Sequence, residues 1–356
     1  MENMPRCTSD PDLAHSQDPA RELGAHAECT PRISIIVLNW NGGTLLARCL
    51  AALAEQTLTD FEVIVVDNGS SDGSVLDLEH KWPALALRVE RLPCNVGFAA
   101  ANNLGARLAR GHWIALLNND AFAAPDWLEA LINATLECPS FSFFASRLIR
   151  ADDHSRLDGA GDVYHVSGLS WRRYHNLSAE QLGAKPEEVF SPCAAAALYP
   201  RDAFLSLGGF DEDFFSTHED ADLGFRLRLA GFRCLYVPSA LAYHMGSATI
   251  GERSTYAIYH GHRNLVWSYV KNMPSALFWR YFLLHVAANL FYLAYFSLRG
   301  HGGAIWRAKI DAVRGIPKIL RKRRDIQRNR KVSAVEISRV LEHDWHAPLR
   351  EFLARW

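Results

Sequence analysis

From residue 33 onward the chain alternates between short apolar, β-rich runs and stretches with helical spacing. Ile33-Ser34-Ile35-Ile36-Val37-Leu38 reads as a strand covered on both faces. The turn Asn39-Trp40-Asn41-Gly42-Gly43 follows, and Thr44 is placed to cap a helix carrying Leu45, Leu46, Cys49, Leu50 and Leu53. Phe61 to Val66 is a second strand, running into the turn-forming loop Asp67-Asn68-Gly69-Ser70-Ser71-Asp72-Gly73. Leu87 to Leu92 reads as a third strand, Gly97 to Ala109 as a helix of small residues, and His112 to Leu117 as a fourth strand. A helix with Trp127, Leu128, Leu131 and Ile132 comes after Pro125, then a Phe-rich strand from Phe141 to Ile149. Asp152 to Pro192 is polar, aromatic and poorly periodic, as expected of loops and short strands over a site. Ala194 to Tyr199 resumes a buried strand, Arg201 to Leu207 is a short helix ending at Gly208-Gly209, and Cys234 to Val237 is a further strand. Between the last two lies a helix from Asp220 to Ala230, stopped by Gly231. Strands that alternate with helices in this way predict an α/β fold with a mostly parallel, doubly wound sheet.

The final third follows another rule. Ala276 to Leu298 is strongly apolar and aromatic, interrupted by Arg280, His285 and Asn289. At about 1.5 Å per residue it is long enough to cross a bilayer. The basic residues Arg307, Lys309, Arg314, Lys318, Arg321, Lys322, Arg323, Arg324 and Arg328 come after it, with only Asp311 and Asp325 among them. A single crossing would put this basic run on the wrong side of the membrane for an enzyme using cytosolic substrates. An in-plane or re-entrant helix, with the basic run on anionic headgroups, fits better. The expected organisation is a disordered arm over residues 1–31, an α/β catalytic domain over 32–255, and a helical, basic, membrane-associating region over 256–356.

Composition narrows the classes. With 356 residues, 49% of them hydrophobic, the chain has ample material for one large core and an appendage. A net charge of −1 gives no global field, so no nucleic-acid partner is expected. The seven cysteines are scattered without a CxxC pair, against a disulfide framework or a zinc cluster, and the first 31 residues lack the apolar segment of a secretory signal.

The candidate chemistry lies where strands end. An apolar strand breaking into Asn118-Asn119-Asp120 delivers a carboxylate to the carboxyl edge of the sheet, where open α/β folds bind ligands. Asp120 is the candidate ligand for Mg²⁺ or Mn²⁺ on a diphosphate, and His244 a second ligand. Asp67 is suited to accept from a uracil or thymine imide or from a ribose hydroxyl. Asn95-Val96-Gly97 opens a helix whose amides suit a phosphate or sugar hydroxyl. With Asn39, Asn41, Asn68, Asn102, Asn118 and Asn119, these residues are expected to bind a nucleotide-sugar. Downstream, Gly209, Phe210 and Asp211 are candidates for the acceptor side, with room at the glycines and a ring to cover a sugar face. In His218-Glu219-Asp220, Asp220 is the candidate general base, with Glu219 beside it.

Taken together, these segments resemble the family-2 glycosyltransferases, inverting enzymes of the GT-A fold. Ile33 to Gly42 is similar to that family's opening strand and nucleotide loop, Val65 to Gly73 to its base-binding Asp segment, Asn118-Asn119-Asp120 to its Asp-x-Asp metal motif, and His218-Glu219-Asp220 to its acceptor-side Glu-Asp motif. The resemblance covers Pro31 to Gly246 and implies Asp220 as base and His244 as a metal ligand. Where the family often has Asp, this chain has Asn118, so metal binding leans more on His244 and the diphosphate. Asn-Asn-Asp, with Tyr259-His260-Gly261-His262-Arg263-Asn264 and Lys271-Asn272-Met273-Pro274, resembles the bacterial rhamnosyltransferase branch. That branch implies dTDP-L-rhamnose as donor and a lipid-linked glycan as acceptor. It also implies a peripheral or monotopic place on the cytoplasmic face of the inner membrane. Alternatives are a UDP-sugar donor (galactofuranosyl, GlcNAc or glucosyl transfer), a sugar nucleotidyltransferase, or a non-catalytic scaffold. The nucleotidyltransferase lacks a cation in the first turn, and a dehydrogenase is excluded by the absence of G-x-G-x-x-G after the first strand.

Overall fold

The computed structural model describes residues 30–180, 183–246 and 254–354, so the expected N-terminal arm lies outside them except for Thr30 and Pro31. The first half alternates as the pattern predicts: β1 (Ile33–Asn39), α1 (Gly43–Ala54), β2 (Phe61–Asp67), α2 (Leu78–Lys81), β3 (Leu87–Arg91), α3 (Phe98–Leu108) and β4 (Trp113–Asn118). These four strands pair in parallel in the order β3-β2-β1-β4. Register brings their carboxyl ends level: Asn39 stands opposite Asp67, and Leu38 opposite Asn118. β1, β2 and β4 are buried on both faces, while the edge strand β3 is not; one apolar layer holds Ile35, Val37, Val63 and Val65 and the other Ile36, Ile64 and Val66.

Beyond Asn118 the chain builds β5 (Ala121–Ala123), α4 (Trp127–Glu137), β6 (Phe143–Arg150), β7 (Leu157–Gly159), β8 (Asp162–Tyr164), β9 (Ser170–Arg172), β10 (Glu187–Val189), β11 (Ala196–Pro200), α5 (Arg201–Ser206), α6 (Glu219–Leu229) and β12 (Cys234–His244). The main sheet runs β10-β12-β6-β11-β4-β1-β2-β3, with β5 on β12 and β7 on β6. β11 lies antiparallel between β4 and β6, so the sheet is mixed, with its uninterrupted parallel part at the β1–β4 side. β12 is longer than the run Cys234 to Val237 because an irregularity between Val237 and Leu241 carries the strand past Pro238 to His244. α1 starts at Gly43, without the expected Thr44 cap; Asp72 Oδ2 accepts from the Gly43 amide at 2.8 Å instead. Cys49, Cys138, Cys193 and Cys234 are free.

The remaining helices are α7 (Thr255–Asn272), α8 (Ser275–Phe296), α9 (Gly302–Arg328), α10 (Ala334–Val340) and α11 (Ala347–Ala354). Ser254 caps α7 by accepting from the Ala257 amide at 3.1 Å. Gly300, at φ +84°, breaks the helix between α8 and α9. α9 then packs along α7, where Trp267 donates to the Ala312 carbonyl at 2.9 Å. The basic run does not all face outward, as the headgroup expectation had it. Lys318 and Lys322 pair with Asp213, Lys322 also with Asp211, and Lys309 turns inward to the His262 carbonyl at 3.0 Å. Arg323 Nη1 donates to the Val270 and Met273 carbonyls at the end of α7. These pairs arise because Asp211 and Asp213 precede α6 and meet α9 across the fold.

Candidate active site

At the carboxyl edge of the parallel strands, short polar side chains fix one another. Asn39 Nδ2 donates to Asp67 Oδ1 at 3.1 Å and to the Ser70 and Ser74 hydroxyls at 3.1 and 2.9 Å. Its Oδ1 accepts from Asn119 Nδ2 at 3.0 Å, tying the β1 and β4 ends together. Asn41 is exposed, at φ +51°, with its Oδ1 accepting from the Ser71 amide at 2.8 Å. Asn68 accepts from the Val96 amide at 2.9 Å and donates to Asn95 Oδ1 at 3.0 Å, which in turn accepts from the Gly97 amide at 2.9 Å. Gly97 sits at φ +92°, where a Cβ would lie 2.6 Å from the Phe215 ring. The amides expected to be free at the start of α3 are therefore partly engaged: that of Ala99 donates to the Phe215 carbonyl at 3.1 Å. Asn102 is buried and donates to the Phe98 carbonyl at 3.0 Å, within its own helix.

The candidate metal pair meets one turn further on. β5 and β12 run antiparallel with Ala121 opposite His244, which brings Asp120 and His244 together; both are buried. His244 Nε2 lies 3.3 Å from Asp120 Oδ1 yet makes no hydrogen bond, while Nδ1 is 2.7 Å from Asp158 Oδ2. In the neutral ring, Nδ1–H toward Asp158 would leave Nε2 as the lone-pair nitrogen facing Asp120. Arg172 grips both oxygens of Asp158 at 2.7 Å. Burial opposes the charge on Asp158, but Arg172 and His244 outweigh it and hold the carboxyl well below its usual range. Burial likewise works against Asp120, and His244 still lowers its pKa. For His244, burial would lower the pKa, and the flanking Asp120 and Asp158 raise it.

The candidate base stands at the start of α6. Asp220, in the first turn of α6, is half-buried, and its Oδ2 lies 3.4 Å from the Ala194 amide. Glu219 is buried, with Oε2 unpartnered; burial, then the nearby Asp220 charge, push its pKa well above the carboxylate range. Asp162, buried on β8, is raised in the same way, by burial and then Asp220. Burial works against the Arg172 charge, but Cys193, Asp158, Asp162 and Asp220 together raise its pKa. On the expected acceptor side, Phe210 is 1% exposed and packs edge-on against Phe204, and the space beside Gly209 is taken by Asn103 Oδ1. Asp211 is bound by Lys271 at 2.5 Å and by Lys322. These three residues are committed to interior contacts.

A family model for glycosyl transferase family 2 matches residues 34–208. A Mycobacterium tuberculosis protein named N-acetylglucosaminyl-diphospho-decaprenol L-rhamnosyltransferase is 30% identical over 247 residues, covering 63% of this chain and 79% of that protein. The chain belongs to glycosyl transferase family 2. An uncharacterized Sinorhizobium fredii protein is 29% identical over 238 residues, but the chain spans only 26% of its length. Among solved structures, the Pyrobaculum calidifontis mannosyltransferase in complex with GDP-Man and Mn²⁺ aligns with a TM-score of 0.53 at 18% identity, covering 80% of this chain and 88% of that one. GalNAc-T7 with UDP, GalNAc and Mn²⁺ aligns at 0.58 with 17% identity, covering 71% of this chain and 50% of that one. These likenesses show the GT-A fold, and with the family they make the chain a glycosyltransferase.

Mn²⁺ accompanies the nucleotides in both of those structures. In this family-2 chain the unpartnered His244 Nε2 beside Asp120 fits a divalent cation. Among the described residues no group of three such ligands occurs, so phosphate oxygens would complete the coordination. Asp158, Asp162 and Arg172 escaped sequence reasoning, since they lie in the aperiodic stretch read only as a cover. The signal available was two acids and an arginine within fifteen residues of weak periodicity; it does not say which of them turn inward.

Proposed function

We propose that this glycosyltransferase is an inverting, metal-dependent enzyme that moves L-rhamnose from dTDP-L-rhamnose to a lipid-linked glycan. We place it on the cytoplasmic face of a bacterial inner membrane. The observation that carries the mechanism is the pairing of His244 Nε2 with Asp120, backed by Asp158, one strand-end away from the Asn39–Asp67 edge. The donor assignment is supported by the rhamnosyltransferase relative.

In this mechanism Asp67 and Asn39 orient the nucleotide and Asn119 links that edge to Asp120. Asp120 and His244 would hold Mg²⁺ or Mn²⁺, which would supply positive charge for the departing diphosphate. Asp220 takes the proton of the acceptor hydroxyl as that oxygen attacks the anomeric carbon from the face opposite the nucleotide. Its half-open position suits this role better than that of the interior Glu219, whose charged form burial disfavours.

Membrane attachment is supported by where large apolar side chains are exposed: among the described residues, thirteen of sixteen lie between Trp279 and Leu353. α8 presents Trp279, Leu283, Leu290 and Phe291 outward, and α9 adds Trp306, Ile310, Val313 and Leu320. The polar side of α8 turns inward, with His285 Nδ1 2.7 Å from the Ser167 carbonyl. A contact at mid-helix with the catalytic part favours an in-plane helix over a crossing one. The exposed Arg321, Arg324 and Arg328 suit anionic headgroups.

The test incubates detergent-solubilised protein with Mn²⁺, a lipid-linked glycan extract and a panel of nucleotide-sugars, and measures nucleoside diphosphate release. Release from dTDP-rhamnose alone is expected. Release from a UDP-sugar keeps the mechanism and discards the donor, and silence across the panel argues for a scaffold. In parallel, flotation with phosphatidylglycerol vesicles should retain the wild type and lose a Leu283→Glu/Trp306→Glu variant.

A further inference from the structure

The loop entering α6 is held in an unfavourable conformation. Phe215, Thr217 and His218 adopt φ values of +65°, +65° and +71°. Left-handed geometry at non-glycine residues costs free energy and persists only when the surroundings impose it. Here α7 imposes it. Asn264 is fully buried, and its Nδ2 donates to the carbonyls of Phe214 at 2.9 Å, Ser216 at 2.9 Å and Thr217 at 2.8 Å. Arg263 Nη2 donates to the carbonyls of Asp213 at 2.9 Å and Phe214 at 3.0 Å. Arg263 Nε donates to Asn264 Oδ1 at 3.0 Å, which decides which end of the amide faces the carbonyls. On the opposite side the Phe215 carbonyl is held by the Ala99 amide of α3. The loop is clamped between the donor-side helix and α7, and it runs directly into Glu219 and Asp220.

We propose that Asn264, backed by Arg263, is a positioning residue for sugar transfer. α7 sets where Asp220 stands relative to the donor, so the C-terminal helices complete the catalytic site as well as attach it. This rests on the reading of Asp220 as base. Removing the Asn264 amide frees the Ser216 and Thr217 carbonyls, leaves that of Phe214 to Arg263, and lets the loop leave its left-handed course, which moves Asp220 without touching the nucleotide edge.

The experiment compares full-length wild type, Asn264→Ala, Asn264→Asp and Asp220→Asn. It uses the donor found by the panel above, with Mn²⁺, and reads kcat per folded molecule, KM, the pH profile and dTDP affinity. Asn264→Ala is expected to lower kcat by roughly 10- to 100-fold with dTDP affinity within about twofold, the pattern of a lost transition-state alignment. Asn264→Asp should lose more, because a carboxylate oxygen then faces carbonyl oxygens. Adding Thr217→Gly to Asn264→Ala should restore part of kcat, since glycine accepts the left-handed conformation freely. A purely structural residue would lower the folded fraction and leave kcat per folded molecule and the pH profile unchanged; that result overturns the proposal. If Asn264→Ala does not fold, Arg263→Lys, which keeps the charge but loses the fork, is read in the same way. Normal turnover in Asp220→Asn would instead overturn the base reading.

Discussion

The β1–β4 edge and the C-terminal helices use polar residues in opposite ways. At the edge, short uncharged side chains (Asn39, Asn68, Asn95, Asn119 and three serines) brace each other, and the acids Asp67 and Asp120 are supported by neutral partners or by His244. In the helical region, charges are buried in opposite pairs: Lys271, 1% exposed, lies 2.5 Å from Asp211 and 2.8 Å from Asp222, and Arg226 lies 2.9 Å from Asp222. The edge leaves its acids able to receive a ligand, whereas the paired charges have no capacity left. A buried pair is a joint, and the joint links α7 to α6 just behind Asp220.

The joint should give the largest effect on stability. Lys271→Ala leaves Asp211 and Asp222 short of a cation in the interior and should destabilise the fold by about 3–5 kcal/mol in urea titration. A loss below about 1 kcal/mol would mean that the pair is solvated and the contrast false. At the site itself, Asp220→Asn should lower turnover by roughly 100-fold or more with nucleotide binding retained, measured by initial rates and dTDP titration. Asp158→Asn should weaken Mn²⁺ binding by roughly 10- to 100-fold while the protein stays folded, since it removes the carboxylate that orients His244.

The smallest effect is on pH. Asp211 and Asp222 are opposed by burial, yet Lys271, with Lys322 at Asp211 and Arg226 at Asp222, holds both carboxyls below their ordinary value. A depressed folded-state pKa gives stability that is full above the unfolded value, near 3.9, and lost as the pH falls below it. Amide protection of α7 should therefore fall below about pH 4 ahead of β1 and β2, and simultaneous loss in both would sink the contrast.

What the sequence made legible follows the same division. Strand ends at Asn39, Asp67 and Asn118 could be located because parallel strands are continuous apolar runs with sharp polar ends, and the register then aligned them. The strand end at Asp120 was readable for the same reason, although the continuation of Cys234–Val237 past Pro238 to His244, which brings the two residues together, was not. The role of Lys271, Asn264 and Arg172 was hidden, because each acts on a partner tens of residues away through a contact that periodicity does not encode. The basic run was read as a surface feature because charge patterning cannot tell a solvated lysine from one that meets Asp211.

The most direct test of the account is nucleoside diphosphate release by metal-stripped wild type and Asp120→Asn over a Mn²⁺ titration, with dTDP-rhamnose and a lipid-linked acceptor. The wild type should be silent without metal and saturate as Mn²⁺ is added. The variant should require far more Mn²⁺ and turn over roughly 100-fold more slowly at the wild-type optimum. Equal rates for the two proteins, or full wild-type activity in chelator, would contradict a metal-assisted transfer centred on Asp120 and His244.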